Sequence, residues 1–168
     1  MQMFRVLIGI LAAAGLALLA FGVAADPHQV QVRGLTISER VVRASIGSSP
    51  NSAAYMIISN ANAVADRLMS ASCACAAKVE VHETHEMKGM AGMMTMGTSG
   101  PVVIPAHGSV SFRPGGLHLM LSGLKERLID RDRQEITLVF EHAGTIKAEF
   151  HISGQVAADG APPINRQR

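Results

Sequence analysis

Apolar and polar residues alternate in short runs along most of this chain. The alternation is strict in "KVEVH" (78–82), and "AAYMIISN" (53–60) is rich in β-forming residues and ends in turn formers. Because a period of two places every second side chain on one face of a sheet, such runs predict strands. We expect strands at 30–32, 35–37, 41–46, 53–60, 78–82, 117–121, 135–144 and 145–152, with two further short runs in 101–116. Short strands separated by turn residues predict an all-β protein folded as a β-sandwich, with at most one helical turn within 121–132.

The first 25 residues depart from this pattern. One Arg precedes an apolar run over 6–21, and small residues follow at Val23 and Ala25 before Asp26. This layout is typical of a secretory signal peptide. An uncleaved anchor is the alternative, although the run is short for a bilayer span of about 20 residues. We therefore expect an exported, periplasmic protein with a signal peptide at 1–25, one domain at 26–153 and a disordered tail at 154–168.

Charge and composition argue against several functions. The 168-residue chain has a formal net charge of +2 and no Trp, and its Lys and Arg residues are scattered. Nucleic-acid binding is therefore not expected. The sequence contains no Gly-x-Ser-x-Gly, Walker or HExxH motif, so we expect no enzyme. After signal cleavage we expect a monomer without stable membrane association.

The segment "VHETHEMKGMAGMMTM" (81–96) is unusual in its chemistry. It holds five of the ten methionines and two of the seven histidines, but no Leu, Ile or Phe. Gly89 and Gly92 disfavour a helix, since each costs about 1 kcal/mol in a helix interior, so we expect a loop after the strand at 78–82. Thioether sulfur is a soft ligand that selects Cu(I) and tolerates imidazole, whereas zinc prefers thiolate or imidazole and calcium prefers oxygen. Soft ligands in an exported protein therefore indicate Cu(I).

Two smaller groups add candidate ligands. His118 and Met120 lie two apart in a predicted strand and so share a face, although a core Met beside a hydrogen-bonded His gives the same pattern. Cys73 and Cys75 are the only cysteines. In an extended strand their sulfurs share a face and bind Cu(I) when reduced, or form a strained, easily reduced disulfide when oxidised. Two small buried residues at a strand start are the structural alternative.

Together these residues resemble the periplasmic copper chaperones of the PCuAC type, which carry the pattern H-x10-M-x21-H-x-M. His85, Met96, His118 and Met120 reproduce that spacing, and the phrases "AAYMIISN", "KVEVHE" and "VIPAHGSVSFRPGGLHLMLSGLK" are similar to the family across most of the predicted domain. The resemblance implies a cupredoxin-like Greek-key sandwich that binds Cu(I) and passes it on by ligand exchange. It also implies that the acceptor is the copper subunit of cytochrome c oxidase or a thiol chaperone serving it.

The first ligand is open between two histidines. Members of the family place the first His directly after the strand, as His82 is here, whereas the spacing selects His85. The remaining thioethers of the segment are candidates for a second, weaker copper site or are filler on the strand edge: Met87, Met90, Met93 and Met94. A blue-copper electron carrier is not expected, because no Cys lies between the late His and Met.

Two functions of other kinds remain open. The surplus methionines favour copper sequestration for tolerance, in which more than one Cu(I) binds per chain. A non-metal interaction module is the second alternative, with the Met-rich segment acting as an apolar partner surface.

Overall fold

The computed structural model describes residues 29–86 and 94–156, with the side chains of 85, 86 and 94 left out. The expected signal peptide, most of the Met-rich segment and most of the expected tail lie outside these residues. The described part contains β-strands and no helix, and therefore no helix long and apolar enough to cross a membrane. The strands are β1 Val30–Val32, β2 Leu35–Arg43, β3 Asn51–Asn60, β4 Asp66–Ser72, β5 Ala76–Glu86, β6 Met94–Thr98, β7 Val102–Ile104, β8 Ser109–Phe112, β9 Leu117–Leu124, β10 Arg133–Phe140 and β11 Gly144–Ser153.

The strands form one hydrogen-bonded path that folds over itself. Their order is β6-β5-β9-β3-β2-β11-β10-β4-β7, with β1 paired to β2 and β8 paired to β3. The path is irregular in two places. The β2–β3 register shifts between Ser38 and Val41, where Glu39 has a φ of 51°. In addition, β3 pairs with β9 through its first half and with β8 through its second half. As a result β4 and β5, far apart in this order, come close together. Such non-consecutive neighbours are typical of a Greek-key sandwich.

The core fills the interior of the sandwich, between its two layers of strands. Alternate residues point inward along each strand, as the sequence pattern requires. Fully or almost fully buried side chains on β10 and β11 illustrate the period: Ile136, Leu138, Phe140, Ile146, Ala148 and Phe150. On β9 the inward residues are Leu119 and Leu121, both with 0% exposure. His118 and Met120 alternate with these leucines along the strand and therefore lie on its opposite, outward face.

A buried carboxylate joins two corners of the sandwich. Asp66, at the start of β4, accepts hydrogen bonds from the backbone N–H groups of Arg67 (2.7 Å), His142 (2.9 Å) and Ala143 (2.9 Å). Burial alone raises the pKa of Asp66, but these three hydrogen bonds together outweigh it and hold the pKa below its usual value. The ionised carboxylate therefore fastens the β10–β11 turn to β4.

Two expectations about the elements are wrong. The runs at 35–37 and 41–46 are one strand, β2, which the register shift interrupts without ending. β4 was not expected, because "DRLMSAS" has only one fully buried apolar side chain, Leu68.

The segment 121–132, for which at most one helical turn was expected, contains none. β9 continues to Leu124. Leu128 then bonds to Ser45, through its N–H to Ser45 Oγ (2.9 Å) and its carbonyl to the Ser45 N–H (3.0 Å).

Candidate metal centre

The two strands β5 and β9 place two imidazoles opposite each other. His82 and His118 are direct partners in the antiparallel β5–β9 register, and their ring centroids are 5.9 Å apart. Directly opposed residues project to the same face of a sheet. Val81 and Leu119, which alternate with them, belong to the core. The histidines therefore share the outward face, and Met120 lies on that face as well, two residues beyond His118.

The hairpin of β5 and β6 adds a thioether to this face. Thr84 pairs with Met96 across the hairpin, and both are in phase with His82. Met96 is 54% exposed. The backbone of His85 pairs with Thr95, one position out of phase with these residues. The prediction of a loop directly after residue 82 is therefore wrong, since β5 continues to Glu86 and pairs with β6.

His118 is held by its own turn. It is 5% exposed, and its Nδ1 lies 3.0 Å from the carbonyl oxygen of Gly116. A carbonyl only accepts hydrogen bonds, so Nδ1 carries the proton and Nε2 keeps its lone pair. The same oxygen accepts the backbone N–H of Thr84 at 3.3 Å. The turn closes through the N–H of Gly116, which donates to the Arg113 carbonyl at 3.1 Å, and Gly115 adopts a φ of 78° that favours glycine.

His82 is held less firmly. Both of its ring nitrogens are shielded from solvent, and neither makes a hydrogen bond within the part of the chain that the structure describes. Its nearest charged neighbour is Glu80, whose Oε2 lies 3.8 Å from His82 Nε2. The Nζ of Lys78 donates a hydrogen bond to Glu80 Oε1 at 2.8 Å. This bond is the main reason why the pKa of Glu80 lies below its usual value, and His82 lowers it further by a smaller amount. Shielded polar atoms without partners are uncommon, and ligation by a metal would satisfy one of them.

The donor set fits a soft metal. A metal at about 2.0–2.1 Å from one nitrogen of each ring fits between rings whose centroids are 5.9 Å apart. Among the described residues, no three His, Cys, Asp or Glu side chains converge in a way that would hold a metal ion. Met96 and Met120 are the described soft donors on the same face, and two thioethers beside two imidazoles favour Cu(I) over zinc, calcium or magnesium.

A cavity of about 360 Å³ opens beside the thioethers. Its wall includes His118, Met96 and Met120 together with Arg43 and Tyr55. Burial raises the pKa of Tyr55, and the charge of Arg43 opposes this only partly, so the phenol stays protonated at neutral pH. Sequence reasoning missed these two residues. A usable signal was present, because Tyr55 is the chain's only tyrosine.

The other proposed ligands do not gather at this site. Cys73 and Cys75 form a disulfide in the turn between β4 and β5, rather than lying in a strand, and Cys75 is 3% exposed. They precede β5, whereas His82 lies toward the other end of that strand. For Met94 only the backbone is described, paired with Glu86. Met87, Met90 and Met93 lie outside the described residues.

Comparison with known proteins agrees with this fold. The profile of a family described as "Putative lipoprotein LpqE-like" matches residues 35–152. No curated protein sequence matches the chain.

Solved structures extend the comparison. The copper-bound PCuAC domain from PmoF2 superposes with a TM-score of 0.64 at 23% identity, covering 76% of this chain and 99% of that domain. The solution structure of CuI-DR1885 from Deinococcus radiodurans gives a TM-score of 0.58 at 26% identity, over 79% of this chain and 85% of that one. Its apo form gives 0.55 at 25% identity, over 92% and 98%. The expected all-β, cupredoxin-like fold and the resemblance to PCuAC domains are confirmed.

Proposed function

The chain belongs to the LpqE-like family, and from this premise we propose that it binds a single Cu(I) ion between β5, β6 and β9 and carries it to an acceptor protein. The observation that carries the proposal is the pairing of His82 with His118 on one outward face, with Met120 two residues further along β9. CuI-DR1885 supports the choice of metal, since that protein of similar fold was solved with Cu(I).

The proposed ligands are His82, Met96, His118 and Met120. His118 offers Nε2, because its Nδ1 donates to the Gly116 carbonyl. We prefer His82 to His85 because His82 lies directly opposite His118, whereas the backbone of His85 is out of phase with it.

Transfer of Cu(I) to the acceptor would proceed by ligand exchange on the Met96 side of the site, which is the more exposed. Met96 is 54% exposed, so an incoming donor atom reaches the metal there without opening the core. Copper stays Cu(I) throughout, one sulfur replacing another. Neutral thioethers leave the ion its positive charge, which favours exchange over permanent retention.

The proposed location and acceptor rest on the family resemblance. A family described as lipoproteins supports an extracytoplasmic protein, and we place this one in the periplasm after signal cleavage. The PCuAC resemblance supports the copper centre of cytochrome c oxidase, or a thiol chaperone serving it, as the destination.

The test is an anaerobic Cu(I) titration of the exported protein against a chromophoric chelator. We expect one tight equivalent, which the double variant His118→Ala with Met120→Ala loses. The matched control is Met69→Leu with His142→Ala, since both residues are exposed and lie on β4 and in the β10–β11 turn. Circular dichroism of all three proteins checks folding. A variant that keeps the tight equivalent while folded would contradict the proposal.

The stoichiometry also separates carriage from storage. Several equivalents that survive in the double variant would favour sequestration by the surplus methionines. No competition at all would favour a non-metal interaction module.

A further inference from the structure

The cavity beside the metal site is lined by polar groups that the proposed copper ligation does not use. Arg43, Asn51 and Tyr55 line it together with the thioethers. We propose that this cavity binds a small carboxylate-bearing copper ligand, about the size of an acylated amino acid, that exchanges Cu(I) with the site. The inference rests on the proposed function for its copper step, whereas binding of the carboxylate does not depend on copper.

Two polar groups of the cavity wall have no protein partner among the described residues. Tyr55 is 5% exposed, and its hydroxyl makes no hydrogen bond within residues 29–86 and 94–156. The exposed guanidinium of Arg43 likewise forms no salt bridge or hydrogen bond there. Both residues line the same cavity, and the charge of Arg43 acts on the Tyr55 phenol. A hydroxyl donor and a guanidinium that face one cavity are suited to a carboxylate, which accepts from both.

The charges around the site favour an anion at the cavity. On the β5 flank, Glu80 lies beside His82 and is already paired with Lys78, so the described residues offer no free positive charge there. Arg43 at the cavity wall has no acidic partner among the described residues. An anionic ligand is therefore attracted to the cavity.

The size of the cavity favours a small molecule over a folded partner. Its volume of about 360 Å³ is near the lower end of the roughly 300–1,000 Å³ found for small-molecule sites. The apolar part of the wall includes Ala44 and Ala53 and suits a short side chain. A ligand with its carboxylate at Arg43 would direct a sulfur toward the metal. That sulfur forms a bond to Cu(I) as the Met96 sulfur leaves, with no electron or proton transferred when the incoming group is a thioether.

The first arm of the test uses the full chain in its exported form, free of copper. Tyr55 is the only tyrosine and tryptophan is absent, so intrinsic fluorescence reports on this cavity alone. The probes are N-acetyl-L-methionine and its carboxamide, which have nearly the same size and differ in that a charged carboxylate is replaced by a neutral amide. We expect the acid to bind about tenfold more tightly than the amide, as for a charge-assisted hydrogen bond. Arg43→Gln should remove that preference, and Arg67→Gln, an exposed Arg on β4, should retain it.

The second arm measures copper exchange. The acid should accelerate loss of Cu(I) from the loaded protein to a chelator more than the amide does, and Arg43→Gln should equalise the two. Equal binding of acid and amide in the first arm overturns the inference, as does a preference that survives Arg43→Gln. Acid binding without faster exchange overturns the exchange role. If the protein binds no copper, the proposed function fails while the first arm still decides whether the cavity binds a carboxylate.

Discussion

The proposed metal site has two halves that are held differently. The β9 half, His118 and Met120, lies on a central strand, and a backbone carbonyl fixes the tautomer of the imidazole. The hairpin half, His82 and Met96, lies on β5 and β6 at the end of the strand order, where His82 makes no hydrogen bond to any described residue and Met96 is mostly exposed. We therefore expect a division of roles, in which the β9 half retains a bound metal and the hairpin half adapts as ligands are exchanged.

Removing either histidine tests this division most strongly. We expect His118→Ala to weaken Cu(I) binding about 100-fold or more, the upper end of the loss seen when even an outer-shell partner is removed. His82→Ala should cause a loss of Cu(I) affinity about tenfold smaller. In the wild type the His82 ring must be ordered on binding, and that ordering offsets about 0.5–1.5 kcal/mol of the free energy gained from ligation. Chelator competition measures both. Equal losses would show that the two halves hold the metal alike.

The methionines should show a smaller contrast. Met120→Leu should weaken Cu(I) binding by several-fold more than Met96→Leu, since Met120 is half-buried and already ordered. Peroxide treatment of the copper-free protein gives an independent measure. Because oxidation follows exposure, mass spectrometry should find the sulfoxide at Met96 before Met120. Oxidation of Met120 first would reverse the assignment of the open side.

Replacing His85 should have almost no effect on tight Cu(I) binding. Its backbone pairs out of phase with the residues of the site, so His85→Ala should leave the first equivalent unchanged. His82→Ala is the matched comparison in the same strand. A loss at position 85 with none at position 82 would show that the residue count along the chain, rather than the cross-strand register, identifies the ligand.

A change far from the site should alter stability alone. Asp66→Asn should cost about 2 kcal/mol of unfolding free energy, since a buried carboxylate loses charged hydrogen bonds. The folded pKa of Asp66 lies below its unfolded value near 3.9. Its contribution is therefore complete above about pH 4 and is lost as the pH falls through the folded pKa. Urea unfolding from pH 7 to pH 2 should show this loss in the wild type and not in the variant, with Cu(I) binding at pH 7 the same in both.

Strand phase could be predicted from the sequence, whereas strand pairing could not. A period of two was enough to place His118 and Met120 on one face. The same period in "KVEVH" places Glu80 in phase with His82, so this neighbour could also be predicted. The partner of His82, however, depends on the β5–β9 register, which involves residues more than 30 positions apart and is set by the packing of Val81 and Leu119.

The residue count between the first His and Met and the cross-strand register select different histidines. Positions 87–93 connect β5 to β6, and a hairpin can lengthen at its tip without changing how its arms pair. A spacing pattern that crosses this connection therefore measures the length of the tip, whereas a metal responds to the register of the arms. The cavity could not be predicted for a similar reason, since Arg43 on β2 and Tyr55 on β3 meet the site through the pairing of β2 with β3 and of β3 with β9.

The carbonyl oxygen of Gly116 has a practical consequence for protein engineering. It accepts one hydrogen bond from the His118 ring and one from the backbone of β5. Transplanting only the four ligand side chains onto another sandwich would leave the imidazole free to take either tautomer and the hairpin unattached. The smallest portable unit is therefore the Arg113–Leu117 turn together with the facing stretch of β5, and a graft that omits the turn should bind copper in several geometries instead of one.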